Sequence, residues 1–332
     1  MTTTKGPRIV VIGGGTGSFT VLSGLKYYAR DITAIVNMSD DGGSTGMLRD
    51  ELGVLPPGDI RQCLVALSES DQIMRDLFNY RFEEGTFGGH SFGNIFLTAL
   101  EKTTGSFAQA VRTASRVLNI SGRVIPVTLT NAKLVLTQPD GNQVIGQHAI
   151  EGAKFQPGHA PNLALEPSPR LNPEAKAAIE AADLVVISPG NLYASLAPTL
   201  IVPGIGEALA ASKARVIYVS NLVTKPGQTD AFEVQDFARE IERFAGTECL
   251  NYVIYNQRKP GKRLLEKYAR AGEYAVEFDA DKLARKHYKT LAGDLLSDTI
   301  PKLSAADQII PRTLIRHDAD KTARLIMQIY FS

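Results

Sequence analysis

Residues 8–25 read RIVVIGGGTGSFTVLSGL and combine three structural signals in one continuous stretch. Residues 8–12 form a short β-branched run typical of a buried strand, and the glycine-rich segment 13–17 follows it directly. The apolar residues after the glycines recur with helical spacing. This stretch therefore predicts a strand, a tight turn and a helix, which is the opening unit of a Rossmann-like α/β fold.

Similar strand signals recur along the chain and alternate with helical periodicity, and they lie at residues 32–36, 184–187, 216–219 and 252–255. This alternation predicts a doubly wound, mostly parallel sheet in a single domain spanning residues 1–332. A period-two pattern flanks the turn Pro139-Asp140-Gly141-Asn142 and predicts a small β-hairpin insertion near residues 120–155. Five prolines in residues 155–173 predict irregular surface chain.

Composition excludes several classes of function. Lys and Arg total 36 against 35 for Asp and Glu, so no global charge favours nucleic acid or an anionic membrane. No apolar run reaches the roughly 18 residues of a membrane helix, and no secretory signal opens the chain. Cys63 and Cys249 lack the spacing of a zinc site or a disulfide framework. We therefore expect a cytoplasmic protein with no membrane insertion and no nucleic-acid partner.

The first glycine loop is interpreted as a diphosphate site, because its backbone amides and the following helix dipole favour phosphate. It does not complete the dinucleotide fingerprint, since Ser18 occupies the third glycine position. Asn37 also stands where an acidic ribose ligand is expected, which weakens an NAD(P)-linked oxidoreductase reading. A tight turn without a ligand is the alternative.

Asp40 and Asp41 lie in the glycine-rich loop after the second strand. Two carboxylates beside phosphate-binding amides could hold Mg²⁺, orient a ribose hydroxyl or act as a base. Capping of the next helix by Asp41 or Ser44 is the alternative. Both aspartates are metal candidates, although adjacent side chains rarely converge on one ion.

Further polar residues stand at predicted helix starts. Asp59 in the segment PPGDIR has the position of an N-cap, and Arg61 could pair with a phosphate or with Asp40. His90, in a glycine-rich loop, could act as a general acid or a phosphate donor, and Asn94 follows in the next helical turn. The candidate catalytic residues are Asp40, Asp41, Asp59 and His90.

Two later loops follow predicted strands, at residues 188–195 and 220–229. Loops at the carboxyl ends of parallel strands lie on one edge of the sheet, so we expect them to share one crevice with the first two loops. The expected ligand-binding residues are Gly14, Gly15, Thr16, Gly17, Asn37, Ser39, Asp40, Asp41, Ser44, Arg61, His90, Asn94, Gly190, Asn191, Ser195 and Asn221.

Six motifs occur in a fixed order, and they are GGGTG, DDGGSTG, PPGDIR, GGHSFGN, SPGNLYASL and SNLVTKPGQT. Through them the chain resembles the YvcK-like gluconeogenesis factors, relatives of the CofD 2-phospho-L-lactate transferases. The resemblance implies a CofD-like fold, UDP-sugar binding and a role in central carbon metabolism and cell shape or envelope control. It also implies that Tyr268 and Arg316 contact the nucleotide sugar. Ser188 replaces the usual glycine, and Ala319 stands where some relatives carry a phosphorylatable threonine.

Two functions remain open at this point. The first is a regulatory protein that binds a UDP-N-acetylglucosamine-like nucleotide sugar and responds through an unidentified protein partner. The second is a Mg²⁺-dependent phosphotransferase of the 2-phospho-L-lactate transferase type, so an enzyme would be a transferase of phosphorus-containing groups. Mg²⁺ is the cofactor candidate, and a homodimer is expected only from base rates.

Overall fold

The computed structural model describes residues 6–156, 159–298 and 314–332. Within them the strands are β1 (Arg8–Gly13), β2 (Asp31–Val36), β3 (Arg123–Pro126), β4 (Lys133–Thr137), β5 (Gln143–Ile145), β6 (Asn162–Glu166), β7 (Leu184–Ile187), β8 (Arg215–Val219), β9 (Tyr252–Asn256) and β10 (Lys289–Gly293). The helices are α1 (Gly15–Leu25), α2 (Gly43–Leu52), α3 (Gly58–Leu67), α4 (Gln72–Asn79), α5 (Phe92–Thr104), α6 (Phe107–Val117), α7 (Gln147–Gly152), α8 (Pro173–Ala181), α9 (Ala197–Leu200), α10 (Ile205–Ala211), α11 (Val234–Ala245), α12 (Lys262–Ala269), α13 (Ala280–Ala284) and α14 (Ala319–Phe331), and a π-helical turn spans Leu192–Leu196.

Seven parallel strands form the main sheet in the order β10-β9-β8-β7-β1-β2-β3. The central strands are buried on both faces, as in β7 and in β1 after its first residue, because helices cover both sides of the sheet. The winding direction reverses between β1 and β7. This reversal is the topological switch point, where doubly wound sheets bind ligands, and the Rossmann-like fold class is thereby confirmed.

The insertion is a second, antiparallel sheet of three strands in the order β5-β4-β6. The predicted hairpin is β4 and β5, whose turn is closed by a 2.8 Å hydrogen bond from Gln138 N to Asn142 O. Two details differ from expectation. β3 belongs to the main sheet, where it pairs with β2. The proline-rich stretch 155–173 also supplies β6, because its residues 162–166 find unpaired backbone groups on the free edge of β4.

Helix α1 is packed between the main sheet and two other helices, α3 and α14. A Cβ on Gly24 would lie 2.0 Å from the carbonyl oxygen of Ala319, so only glycine permits this approach of α14. Cys63 and Cys249 are buried and unpaired. Across the described ranges no single helix is long and apolar enough to cross a membrane, although Leu192–Leu200 and Ile205–Ala211, bent by 69°, pass that test together.

Candidate functional site

The loops after β1 and β7 meet at the switch point. A Cβ on Gly17 would lie 1.7 Å from the carbonyl oxygen of Pro189, so the first turn of α1 and the turn after β7 are in direct backbone contact. Beside this contact, the hydroxyl groups of Ser18 and Ser188 are hydrogen-bonded at 2.8 Å. The two loops therefore form the adjoining walls of one crevice.

Helix α1 begins at the crevice without a side-chain cap, because its N-cap residue is Gly14. The N–H of Gly15 donates to the carboxylate of Asp59, which lies at the start of α3, and the side chain of Asn37 donates to the same carboxylate. A Cβ on Gly14 would lie 2.1 Å from Asp59 Oδ2. Asn37 follows β2 and is 2% exposed, so its side chain donates to a buried carboxylate and not to solvent.

Asp40 and Asp59 form a carboxylate pair in which Asp59 is buried and Asp40 is half-buried. Burial and the charge of Asp40 raise the pKa of Asp59 to about 7, and the nearby Arg61 opposes this shift. Burial likewise raises the pKa of Asp40, although the N–H of Gly42 and the hydroxyl of Thr45 donate to its carboxylate. Two such groups repel each other when both are ionised. This repulsion favours a proton on one of the two groups, and the two carboxylates are the candidate ligands for a divalent cation.

Asp41 is directed elsewhere. Its carboxylate accepts from the N–H groups of Gln147 at 3.1 Å and His148 at 2.7 Å, and so caps the start of α7 in the insertion. The charges of Asp59 and Asp41 both lie close to Asp40, but both oxygens of Asp41 are engaged by backbone amides 106 and 107 residues away. Within the described chain no group of three or more His, Cys, Asp or Glu could hold a metal ion.

A polar chain links the starts of α2, α3 and α5. Ser44 Oγ lies 3.2 Å from His90 Nδ1 and accepts at 3.1 Å from the side-chain amide of Asn94. The oxygen of that amide accepts from Arg61 Nε at 3.1 Å. Burial lowers the pKa of Arg61 to about 10, so the guanidinium stays charged at neutral pH while only 9% exposed. Arg61 is thus a buried cation close to the carboxylate pair.

The turns after β7 and β8 are joined by an amide side chain. Asn221 Nδ2 donates to Gly190 O at 2.7 Å, and Tyr218 OH donates to Asn221 Oδ1 at 3.0 Å. Asn191 Oδ1 caps the following turn by accepting from Ala194 N at 3.2 Å, whereas Asn191 Nδ2 is buried without a partner among the described residues. An unpartnered buried N–H₂ beside Gly190 is a donor that a bound acceptor would satisfy.

Tyr268 lies on α12 and supports the segment that carries Arg316. It is only 5% exposed, and its hydroxyl oxygen accepts from Leu314 N at 3.1 Å and Ile315 N at 3.0 Å. His317, whose pKa burial lowers to about 4, donates from Nε2 to Ser220 O at 3.0 Å. Arg316 is consequently held between two anchored neighbours, next to the turn after β8.

The other candidate residues lie around the carboxyl ends of the parallel strands. Ser39 is buried and donates to Asn37 Oδ1 at 2.9 Å, Thr16 is exposed at the rim, and Ser195 packs beside Gly190. The structure thus gathers the loop residues at one edge, whereas it turns the side chains of Asp41 and Tyr268 towards backbone amides.

Sequence reasoning missed two connections. Thr45 joins the carboxylate pair to the polar chain, since it donates to Asp40 and lies 3.5 Å from Asn94 Nδ2. Gln228 Nε2 donates to Ile150 O at 2.8 Å, so α7 is held at its far end by the loop after β8. Thr45 belongs to the motif DDGGSTG, whereas nothing local in the sequence indicates the partner of Gln228.

The fold and the site define a Rossmann-like α/β protein whose glycine-rich loops meet at the switch point of its sheet. Residues 9–296 match the family described as 2-phospho-L-lactate transferase CofD, and the chain belongs to this family. The family recognised from the motifs is thereby confirmed.

Relatives cover nearly the whole chain. The chain is 40% identical to a Thermotoga maritima protein named "Putative gluconeogenesis factor", over 97% of this chain and 99% of that one. It is 35% identical to a Bacillus subtilis protein named "Gluconeogenesis factor", over 97% and 98%. A crystal structure of a UPF0052 family member from Bacillus halodurans superposes with a TM-score of 0.87 at 35% identity, covering 97% of this chain and 99% of that one.

Proposed function

We propose that this chain is a cytoplasmic regulatory protein that binds a nucleotide diphosphate sugar such as UDP-N-acetylglucosamine, and that it acts in central carbon metabolism and cell-shape control. The observation that carries the proposal is the contact between the first turn of α1 and the turn after β7, which brings two sets of amide-bearing loops to the switch point. Backbone amides at helix starts and in glycine-rich turns can bind a diphosphate without surface lysines.

Three groups contact this ligand in the proposal. Arg61 supplies a buried positive charge close to the Asp40–Asp59 pair. Asn191 Nδ2 offers its unpartnered donor beside Gly190. Arg316 is held at the turn after β8 and faces the sugar-bearing end of the ligand in this proposal. Regulation then requires that the ligand bind two conformations with different affinities. A protein partner then binds one of these conformations in preference to the other.

Titration calorimetry tests the proposal with UDP-N-acetylglucosamine, UDP, GDP and NAD as separate ligands, each with and without Mg²⁺. We expect micromolar binding of the UDP-sugar, no binding of NAD, and an unchanged ligand after prolonged incubation by mass spectrometry. Failure of all uridine nucleotides to bind at millimolar concentration would overturn the proposal.

A second candidate function is a Mg²⁺-dependent transfer of a phosphorus-containing group, and the Asp40–Asp59 pair favours it. Mg²⁺ in proteins is commonly held by one or two carboxylates together with substrate phosphates, and this donor set fits that requirement. When bound, the ion would supply charge stabilisation to a phosphoryl group. Asp40 and Asp59 would hold it, and Arg61 would orient the phosphate.

The two candidates differ in their products. The transferase would be favoured by metal-dependent transfer of the terminal phosphorus group of a nucleotide diphosphate ester to the hydroxyl group of an added acceptor, with release of the nucleoside monophosphate. This transfer should be abolished in Asp59→Asn and retained in Asp41→Asn. Ligand binding without turnover in either variant would favour the regulatory protein.

A further inference from the structure

Helix α7 of the insertion crosses the edge of the main sheet at which the crevice lies. Its first residues are bound by Asp41 from the loop after β2, and its last residues are bound by Gln228 from the loop after β8. In the sheet, β7 and β1 lie between β8 and β2, so this connection passes across the switch point. Helix α7 also packs against the π-helical turn after β7. Residues 147–155, the strap, therefore cross over the loops that form the crevice.

The length of the strap suits the distance that it crosses. Neighbouring strands lie about 4.8 Å apart, so β8 and β2, three positions apart in the sheet, are separated by about 14 Å. The six residues of α7 span about 9 Å, and the non-helical residues 153–155 add the remainder. At the end of the strap, Phe155 N donates to Gly227 O at 2.7 Å. The strap is thus attached to a crevice loop at each of its ends.

The end of the strap at Asp41, the hinge end, is held by charge-assisted hydrogen bonds. The two oxygens of the Asp41 carboxylate accept from Gln147 N at 3.1 Å and from His148 N at 2.7 Å. The packing is close, since a Cβ on Gly146 would lie 2.5 Å from Asp41 Oδ2. Hydrogen bonds to an ionised acceptor are roughly twice as strong as those between neutral groups. The hinge end is therefore firmly attached to the loop after β2.

The other end of the strap, the latch end, depends on one neutral amide. Gln228 Nε2 donates to three carbonyl oxygens of the strap, those of Ile150 at 2.8 Å, Ala153 at 3.0 Å and Glu151 at 3.2 Å. Because the amide has only two hydrogens, these three bonds are shared and individually weaker. Gln228 Oε1 is buried without a partner among the described residues, which is unfavourable. Opening of the latch end would expose this oxygen to water and remove that cost.

An ion pair at the latch end lies close to the carboxylates of the crevice. Lys225 Nζ is 3.3 Å from Glu151 Oε1, and both side chains are half-buried. Burial raises the pKa of Asp40, and the charges of Asp41 and Glu151 add to this shift. Glu151 is thus near enough to Asp40 for the two charges to interact. A ligand that brings charge to the crevice therefore acts on the latch end as well.

The charged groups of the crevice are enclosed in this structure. Asp59 is 8% exposed and Arg61 is 9% exposed, although both belong to the set that a ligand or a cation would contact. A ligand reaches them only after part of the surrounding structure has moved away. The strap crosses the crevice and is weakly held at one end, so it is the segment best suited to move.

We propose that the strap is a lid, which opens at the latch end and turns about the hinge end to admit a ligand to the crevice. Opening releases Gln228 and separates Glu151 from Lys225, whereas Asp41 keeps its two hydrogen bonds. The opening is a property of the ligand-free protein. Its effect on the rate of ligand exchange rests on the proposed function.

Amide hydrogen exchange followed by NMR tests the opening, because each end of the strap contains a reporter. The amide of Phe155 is bonded to Gly227 O at the latch end, and the amide of His148 is bonded to Asp41 at the hinge end. After correction for intrinsic rates, we expect the Phe155 amide to exchange at least tenfold faster than the His148 amide. Gln228→Ala should accelerate exchange at Phe155 at least fivefold further and leave His148 unchanged.

Two more variants and an internal reference complete this experiment. Gln143→Ala is the matched control and should change neither rate, since Gln143 is an exposed glutamine on β5 of the same insertion. Glu151→Gln preserves the size of the side chain but removes the ion pair, and it should act in the same direction as Gln228→Ala. The amides of β7 report global unfolding and should exchange more slowly than Phe155 in every variant. Equal exchange at Phe155 and His148, or exchange at Phe155 as slow as in β7, would overturn the lid.

Binding kinetics of UDP-N-acetylglucosamine, measured by surface plasmon resonance, test the effect on ligand exchange. Gln228→Ala should raise the association and dissociation rate constants at least threefold and change Kd less than twofold, because the free and the bound protein lose the same latch. An unchanged association rate constant would show that the strap does not control access, and the lid would be overturned. If the wild-type protein binds no uridine nucleotide, the proposed function fails, and hydrogen exchange alone decides whether the strap opens.

Discussion

The hydroxyl oxygens of Ser18 and Ser188 lie 2.8 Å apart in the protein interior, with the two residues 2% and 0% exposed. This hydrogen bond joins α1 to the turn after β7 across the switch point. Ser188 stands where relatives of this chain were expected to carry glycine, and Ser18 occupies the third glycine position of the dinucleotide fingerprint. The two serines that stand at these expected glycine positions are therefore hydrogen-bonded to each other.

Ser188→Ala should destabilise the protein by about 1 to 2 kcal/mol, because it leaves the Ser18 hydroxyl buried without this partner. Ser18→Ala should have a similar effect. The double variant should lose less stability than the sum of the two, since the second substitution removes the orphaned hydroxyl. Urea unfolding of the four proteins measures the coupling, and strictly additive effects would show that the contact contributes nothing.

Gly17→Ala should destabilise the protein by about 1 to 3 kcal/mol, because the new Cβ would lie 1.7 Å from Pro189 O and must push the two loops apart. Gly152→Ala is the matched control, since a Cβ there meets nothing within 4 Å. Thermal unfolding compares the two variants. An equal response at both positions would mean that the loops separate freely and that the crevice is not closely packed.

The sequence predicted the elements that depend on local pattern. The strand–turn–helix at Gly13–Gly17 and the later strands were found because β-branched runs and glycine turns are local signals. The connection made by Asp41 was not found, because its partners in α7 lie more than one hundred residues away. The same holds for β6, whose pairing with β4 is determined by a free sheet edge and not by its own proline-rich composition.

Asp41→Ala should destabilise the protein by about 0.5 to 2 kcal/mol through loss of the α7 cap, and Mg²⁺ affinity in the presence of UDP should stay unchanged. Asp40→Asn should instead reduce that Mg²⁺ affinity, because it removes one carboxylate of the pair. Calorimetric Mg²⁺ titration of both variants tests the distinction. A metal-binding defect in Asp41→Ala alone would restore the assignment of the ion to Asp41.

Tyr268→Phe should weaken UDP-sugar binding, although the Tyr268 hydroxyl does not contact the ligand in this proposal. The substitution removes the acceptor of Leu314 N and Ile315 N, so that Arg316 is held less firmly. We expect a stability loss of about 1 to 3 kcal/mol. Arg316→Ala should weaken binding by about 1.5 to 3 kcal/mol.

A double-mutant cycle separates the roles of these two residues. If Tyr268 acts through Arg316, the effect of Tyr268→Phe on binding should shrink in the Arg316→Ala background. Calorimetry on the four proteins measures this coupling. Independent, additive losses would show that Tyr268 contacts the ligand directly, as the family resemblance implied.

The contribution of Asp59 to the stability of the ligand-free protein should fall as the pH rises from about 4 to about 7. Its pKa is raised to about 7 in the folded state, above the ordinary value of 3.8, so the folded protein binds this proton more tightly than the unfolded chain does. The contribution is fully present below the unfolded pKa and is lost as the pH rises through the folded one. Asp59→Asn should therefore stabilise the protein at pH 8 by on the order of 2 to 4 kcal/mol and have little effect near pH 4.

The effect of Mg²⁺ on stability gives a second test of the Asp40–Asp59 pair. A divalent cation held between Asp40 and Asp59 would favour their ionised forms, so millimolar Mg²⁺ with UDP should raise the unfolding temperature of the wild-type protein at pH 8. Asp59→Asn should show a smaller increase. Chemical denaturation between pH 4 and 8 gives the linkage directly, and a pH-independent difference between wild type and Asp59→Asn would mean that Asp59 ionises normally and that the pair does not exist in solution.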